Sequence, residues 1–289
     1  MSIIPQLIAN SLIAGGIYAL VALGFGIIYK TTKFFNLTHG SVTMIGGYSV
    51  YCFYKMNGCS LFLSIILGIT IAGILGAVLN KIIFAPLRKR NASNLVLLVA
   101  SLGVFTIIQS LVAIIFTSQF HTLADNNLPQ KTYEIAGAFI TQTQMIIFAS
   151  VIFCAVSLML VFKYTLFGKA VKAICDSEKT AKIVGINTDK IIARIFLLGS
   201  SIAGLTGILI GFDTGLEPAM GMKILLKGVI AVIIGGVGNI YGVIVGALIL
   251  GFAENFGIYK ISGEWKDTIA FILLVLFLLF RPQGLIKQK

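Results

Sequence analysis

Leu61-Phe-Leu-Ser-Ile-Ile-Leu-Gly68 opens an apolar run that continues to Phe84. Apolar and polar residues do not alternate along it, as they would in a strand of a lipid-facing barrel. A continuous run of this length matches the ~20 residues that carry an α-helix across a bilayer. Lipid admits only helices and closed barrels, because nothing in it hydrogen-bonds a free backbone group. Eight more runs follow the same pattern, at about residues 7–29, 41–54, 95–116, 144–164, 191–212, 224–236, 240–258 and 265–280. Six of the nine span without argument; the second, seventh and ninth are short, and length alone leaves them free to be re-entrant. The whole chain agrees: of 289 residues 58% are hydrophobic and 11% charged, against roughly 25% charged in a soluble domain, and the mean hydropathy is +1.01. The expected fold is all-α: a polytopic helical membrane protein of about eight or nine segments, with residues 1–289 forming one transmembrane domain.

The formal charge is +12, from 22 Lys and Arg against 10 Asp and Glu. Membrane proteins collect Lys and Arg in cytoplasmic loops, a better account of the excess than nucleic-acid binding. With all nine runs crossing and the N-terminus outside, Lys30, Lys33, Lys81, Arg88, Lys89, Arg90, Lys163, Lys169, Lys172, Lys179, Lys182, Lys190, Arg194, Arg281, Lys287 and Lys289 face the cytoplasm. Only Lys55, Lys131, Lys223, Lys227, Lys260 and Lys266 fall on or near the outer side. A re-entrant second or seventh run would weaken that bias. The expectation is therefore N-terminus outside and C-terminus inside. No basic leader precedes the first long run, so it reads as a span rather than a cleaved signal.

Small residues recur at four-residue spacing: Gly199, Ala203, Gly207, Gly211 and Gly215 in and beyond the sixth run, and Gly238, Gly242 and Gly246 in the eighth. That spacing lets helix backbones approach closely in lipid, and helix packing accounts for it better than direct contact with a solute. Cys52, Cys59, Cys154 and Cys175 lack zinc or redox spacing, so no metal or cofactor is expected. Ionisable residues in spanning segments are functional candidates by default. Glu254, near the outer end of the eighth run, suits an outer gate or a binding-protein contact and hydration at the headgroups equally well. His39, at the start of the second run, reads first as a helix-terminal hydrogen-bonding group and second as a pathway residue. The only two histidines, His39 and His121, lack the motifs of a hydrolase or metalloprotease, which makes an intramembrane enzyme the weakest class. Nor is there any G-x-x-x-x-G-K-[ST] phosphate loop; Gly168-Lys169 is followed by Ala.

Residues 163–190 form the longest polar stretch between apolar runs. Ala170, Ala173, Ile174, Ala181 and Val184 recur there at roughly helical spacing among Lys and Glu, and Gly185 reads as a helix stop. Short amphipathic helices at the membrane surface are expected, against anionic headgroups or, given the small residues, a protein partner. Within this stretch Gly168-Lys-Ala-Val-Lys-Ala173, Asp176, Ala181 and Gly185-Ile-Asn-Thr-Asp189 resemble the cytoplasmic coupling loop of branched-chain amino acid ABC importer permeases. The likeness covers most of the chain: Gly16-Ile-Tyr-Ala-Leu-Val-Ala-Leu-Gly24, Asn36-Leu-Thr-His-Gly40, Ala85-Pro-Leu-Arg88, Ser101-Leu-Gly103, Lys227-Gly-Val-Ile-Ala-Val-Ile-Ile-Gly-Gly-Val-Gly-Asn239, Gly246-Ala-Leu-Ile-Leu-Gly251 with Glu254, Lys266-Asp267 and Arg281-Pro-Gln-Gly-Leu285 follow in order.

The resemblance implies the shorter of two paired permease subunits in a bacterial inner membrane, with no enzymatic activity of its own. Its partners would be a second permease, two cytoplasmic ATPases and an extracytoplasmic binding protein. The implied ATPase contact is Gly168, Ala170, Asp176, Ala181, Gly185 and Asn187; the implied pathway residues are Asn36, His39, Gly40 and Glu254. Branched-chain or other hydrophobic amino acids are the implied substrate, with urea or short-chain amides in the same family as the alternative. A stand-alone secondary transporter is the other reading, disfavoured by the scarcity of mid-membrane carboxylates for ion coupling. The chain departs from the family in having Ala85 where Arg is frequent, Leu37-Thr38 where Phe-Ala is usual and Asn239 where Ser is common. The last two departures are expected to bear on the pathway.

Overall fold

The computed structural model describes residues 3–124, 131–281 and 283–286. All nine apolar runs are helical. The helices are α1 (Ile3–Thr32), α2 (Thr38–Val50), α3 (Leu61–Leu79), α4 (Ala85–Lys89), α5 (Asn94–Phe116), α6 (Gln142–Tyr164), α7 (Leu166–Asp176), α8 (Glu178–Ile183), α9 (Thr188–Asp213), α10 (Met220–Gly235), α11 (Ile240–Lys260) and α12 (Lys266–Phe280). Wider π-helical turns extend α2 through Tyr51–Met56 and join α3 to α4 through Asn80–Phe84. The six spans expected from length alone are, among the described residues, the six helices long and apolar enough to cross a membrane. A hairpin of β1 (Thr132–Ile135) and β2 (Ala138–Thr141), with no counterpart in the sequence reading, precedes α6.

The ends of the helices sort onto two faces. On one, Gln6 Nε2 donates to Phe139 O at 3.1 Å and Phe139 N donates to Gln6 Oε1 at 2.9 Å, tying the start of α1 to the hairpin. There also His121 and Leu216 exchange backbone hydrogen bonds of 3.0 and 2.7 Å, joining the α5–β1 and α9–α10 links. On the opposite face Lys30 Nζ donates to Gly238 O at 2.9 Å, Lys89 pairs with Asp189 at 3.2 Å, and Leu285 N donates to Ile234 O at 2.9 Å. Following the chain between these anchors, the nine long elements alternate in direction, so the start of α1 and the end of α12 lie toward opposite faces. The hairpin face is poor in cations; the other, here the basic face, carries the lysines of residues 163–190. Lys287 and Lys289, counted above to the cytoplasmic side, lie outside the described residues, as does Pro282. With 16 and 15 residues, α10 and α12 are about 24 and 22 Å long, shorter than a ~30 Å hydrocarbon core.

α1 is the central post. Every residue from Gly15 to Ile28 is buried, which a helix apolar all round requires of its neighbours: α9, α10, α11 and α6 surround it. α2 is the second buried element, with all but Ile45 and Ser49 inside the bundle. The chain reaches it by dipping under α5, where Ser101 Oγ accepts from Leu37 N at 3.1 Å and donates to Phe35 O at 3.2 Å, and Ser101 O accepts from Thr38 Oγ1 at 3.1 Å. Ser101 lies two turns into α5, so α2 begins roughly 10 Å inside the bundle. The outer faces of α3, α5, α6 and α12 expose a belt of aliphatic and aromatic side chains, Ile74, Ile114, Phe153 and Leu279 among them.

Backbone-on-backbone contact at glycine allows this crowding. A Cβ on Gly24 would stand 2.7 Å from Gly199 O, and one on Gly199 would stand 2.8 Å from Gly24 O, at the α1–α9 crossing. Gly40 and Gly221 oppose each other between α2 and α10, and Gly47 faces Gly207 O at 2.8 Å from its Cβ position. The four-residue stripe of α9 does not serve one neighbour, because four residues overshoot a turn of 3.6. Gly199 meets α1, Gly207 meets α2, Gly211 meets Leu123, and Gly215 lies beyond the helix at φ +90°. Gly204, off that stripe, seats Gly46 of α2. Gly238 likewise lies outside α11, at φ +90° in the turn before it. Substituting Gly46 by Val should therefore destabilise the protein in detergent by about 1–3 kcal/mol, read as a lowered thermal midpoint. Gly103→Ala, where nothing surrounds the Cβ position on α5, should leave the midpoint unchanged or raise it.

Candidate functional site

Lys227 is the one cation of the apolar segment Ile224–Gly235, two turns into α10, and its side chain is only 11% exposed. Glu254, on α11, is fully buried. Lys227 Nζ lies 3.1 Å from Glu254 Oε1, outside hydrogen-bonding alignment, and donates to Oε2 at 3.3 Å. Tyr18 of α1 donates its hydroxyl hydrogen to the same Oε2 at 2.6 Å and accepts from Lys227 Nζ at 3.3 Å. Two residues opening α12 complete the cluster: Lys266 Nζ at 3.7 Å from Glu254 Oε2, and Asp267 Oδ1 at 3.1 Å from Lys227 Nζ. Hydrogen bonds thus join α1, α10 and α11, and ion pairs extend the cluster to α12.

The cluster floors a vestibule of about 390 Å³ next to the hairpin face, with Asn10, Asp213, Glu217, Lys223 and Asn255 also on its lining. Ile13, Ile17, Ile210, Met220 and Ile224 make its apolar walls. Hydration of Glu254 at the headgroups, one of its two expected roles, is not what the structure has: the carboxylate is sealed between three helices and neutralised by lysines. Lys227, counted among cations on or near the outer side, lies within the bundle. The signal for both was present as a lone cation in the seventh run and a lone carboxylate in the eighth, since intramembrane charges pair with one another. Each was read separately.

The other pathway candidates gather at the start of α2 and do not line that vestibule. His39 is buried edge-on to Phe25, ring centroids 6.2 Å apart. Val21's backbone runs alongside, but neither ring nitrogen closes a hydrogen bond of good geometry, so the expected helix-terminal bond is not made by the side chain. Asn36 is buried with its Oδ1 unpartnered, and Gly40 is the contact point with Gly221. Asn239 is the N-cap of α11, accepting from Tyr241 N and Gly242 N at 3.0 and 3.3 Å. Ser serves the same position, so this departure from the family pattern keeps the capping function.

On the basic face, residues 163–190 form short helices as expected, two in number, α7 and α8. Thr165 caps α7 by accepting from Gly168 N at 3.0 Å, Ser177 caps α8 by accepting from Thr180 N at 3.2 Å, and Asn187 caps α9 by accepting from Lys190 N at 3.1 Å. The small residues do not share one role. Gly168 is pressed against the Phe162 backbone and Ala181 is buried, so both hold the loop to the bundle instead of facing outward. Ala170 is half-buried; Asp176, Gly185 and Asn187 are exposed. Gly185 has φ +85°, a conformation that favours glycine, with open space around it. Beside it stand Ile183 and Val184, 85% and 67% exposed, and Leu166 across the loop at 82%; the sequence reading counted Val184 in its helical pattern and passed over Ile183 and Leu166. Between α1, α6, α7 and α11 lies a cavity of about 650 Å³ with Lys30, Lys163 and Lys172 on its rim and Phe162 and Met159 on its walls. Cys175 adjoins it; burial raises its thiol pKa against the opposing pull of Lys30 and Lys33.

The family described as the permease component of the branched-chain amino acid transport system matches residues 7–278. The high-affinity branched-chain amino acid transport system permease protein BraD of Pseudomonas aeruginosa is 30% identical over 98% of this chain and 95% of its own. LivH of Escherichia coli K12, of the same description, is also 30% identical over 98% and 95%. A probable LivH of Methanocaldococcus jannaschii is 26% identical over 97% and 91%. In shape, a chain of PsaBC from Streptococcus pneumoniae, solved in complex with Fab, superposes with a TM-score of 0.53 over 95% of this chain and 91% of its own, at 15% identity. The chain belongs to the branched-chain amino acid transport permease family.

The buried cluster has a measurable cost of disruption. Glu254→Leu leaves Lys227 without its buried counter-charge and should destabilise the protein by about 3–5 kcal/mol, whereas Tyr18→Phe should cost about 1.5–3 kcal/mol for one bond to a charged acceptor. Adding Lys227→Met to Glu254→Leu should recover most of the loss, as followed by thermal unfolding in detergent.

Proposed function

We propose that this family member forms half of an ATP-driven import pathway for branched-chain amino acids across a bacterial cytoplasmic membrane. In this reading the basic face is cytoplasmic, as the positive-inside rule requires, placing the N-terminus outside and the C-terminus inside. A second permease completes the pathway, an extracytoplasmic binding protein delivers solute at the hairpin face, and two ATPases dock on the basic face. The substrate is that named for the relatives, and the aliphatic walls of the vestibule suit a branched hydrocarbon side chain.

The observation that carries this reading is the α7–α8 loop. It presents Ile183, Val184 and Leu166 to solvent on the basic face, in a chain without a phosphate-binding loop of its own. Exposed apolar side chains rimmed by charge mark a protein contact. The caps at Thr165, Ser177 and Asn187 make the loop stiff, and Asn187 ties it directly to α9. α9 is about 39 Å long by its 26 residues, and its far end, at Ile210 and Asp213, lines the vestibule. A push on the loop is thus delivered to the solute's side of the membrane through one continuous helix.

Ile183→Glu and Asp176→Lys should each reduce ATPase co-purification and substrate-stimulated ATP hydrolysis in proteoliposomes by about tenfold or more, with insertion into the membrane unchanged. Normal coupled transport by both variants would remove the loop from the contact.

A further inference from the structure

The vestibule cluster has one weak arm. Glu254 is fully buried and held by Tyr18 at 2.6 Å, with Lys227 and Lys266 as its cations. Two ammonium groups against one buried carboxylate leave a positive charge over, and Asp267 balances it from the vestibule wall. Asp267, however, is 62% exposed and touches Lys227 through a single oxygen at 3.1 Å. The pair is open to water on its Asp267 side alone, so Asp267 can turn away into solvent at little cost to itself, whereas Glu254 cannot leave without abandoning a buried charge.

We propose that the Lys227–Asp267 pair is the zwitterion-reading element of the pathway: the solute's α-carboxylate takes Asp267's place on Lys227 Nζ, and the freed Asp267 carboxylate receives the solute's α-ammonium. The exchange conserves charge, since one ion pair opens and two form in its stead. Glu254 and Tyr18 act as positioning residues that hold Lys227 toward the cavity. The walls of Ile13, Ile17, Ile210 and Ile224 then meet the side chain, so the site takes an amino acid with an aliphatic side chain. A neutral amide or urea offers no carboxylate to displace Asp267 and leaves the pair closed. The inference rests on the amino-acid reading above and specifies which residues carry it.

The chain's single tryptophan, Trp265, immediately precedes Lys266 and Asp267 and reports on this arm. The full chain in nanodiscs is titrated with L-leucine, 4-methylpentanoate, 3-methylbutylamine and acetamide while Trp265 fluorescence is followed. Leucine should give a saturable change, 4-methylpentanoate a weaker one, and the amine and acetamide none. In Asp267→Asn, whose exposed side chain leaves the buried cluster intact, leucine should weaken by about tenfold or more and 4-methylpentanoate should not weaken. Equal leucine binding in wild type and Asp267→Asn would overturn the proposal, as would an equal response to acetamide. Uptake by the complete importer in proteoliposomes separates the two levels. Leucine transport with no Trp265 response sinks this site and leaves the importer reading standing. A selective Trp265 response in a complex that imports no amino acid supports the site and sinks the importer reading.

Discussion

Lipid supplies almost no hydrophobic drive for one apolar helix to leave it for another, so the bundle depends on how closely backbones can approach. Glycine-on-glycine contacts set that distance at Gly24–Gly199, Gly40–Gly221 and Gly46–Gly204. They admit a second buried element beside α1, the short and weakly apolar α2, which could not hold a position facing lipid with Thr38, His39, Ser41 and Thr43 along it. Dispersion over so many close contacts and the Ser101 hydrogen bonds hold α2 in place. Its polar side chains serve that packing by returning their hydroxyls to nearby carbonyls, as Ser41 does to Thr38 O at 2.8 Å and Thr43 to His39 O at 3.0 Å.

Against this apolar packing the Tyr18–Lys227–Glu254 cluster is the costly exception. Burying an ion pair gives little net stability, yet here it ties α1, α10 and α11 at one depth and leaves its only exposed link to α12. The seam between α12 and the other three is therefore the part of the cluster that opens at least expense, and it lies on the vestibule wall. The glycine contacts elsewhere are close-packed, and such interfaces shift between discrete arrangements instead of stretching.

The sequence made most of the fold legible because runs of apolar residues are a local property: each of the nine became a helix, and the six long ones were the six of spanning length. The surface loop was also legible as short amphipathic helices with the stop at Gly185, whereas the caps at Thr165, Ser177 and Asn187 came only from the structure. Contacts made by distant residues were not. Lys227 and Glu254 are 27 positions apart and Tyr18 is 236 from Glu254, so nothing local joined them, and Glu254 read as well at the headgroups as in a gate. Gly168 and Ala181 read as docking positions because small size alone does not say which way a residue faces. The β1–β2 hairpin, four residues a strand among exposed polar neighbours, lacks the length for a strand pattern to show.

Two elements touch both ends of the transport problem. α9 begins at the Asn187 cap beside the loop and ends on the vestibule; α1 places Lys30 at the basic-face cavity and Tyr18 in the charge cluster. They cross at Gly24 and Gly199, where neither can accept even a methyl group. A contact this tight forbids sliding along the interface but leaves a pivot, since glycine has no side chain to unlock when the helices tilt about it. In the importer proposed above, force entering α9 at the loop would meet α1 at that point, and Tyr18 lies on the part of α1 beyond it. The hydroxyl that holds Glu254 toward Lys227 is thus the group on which a movement at the basic face would first be felt.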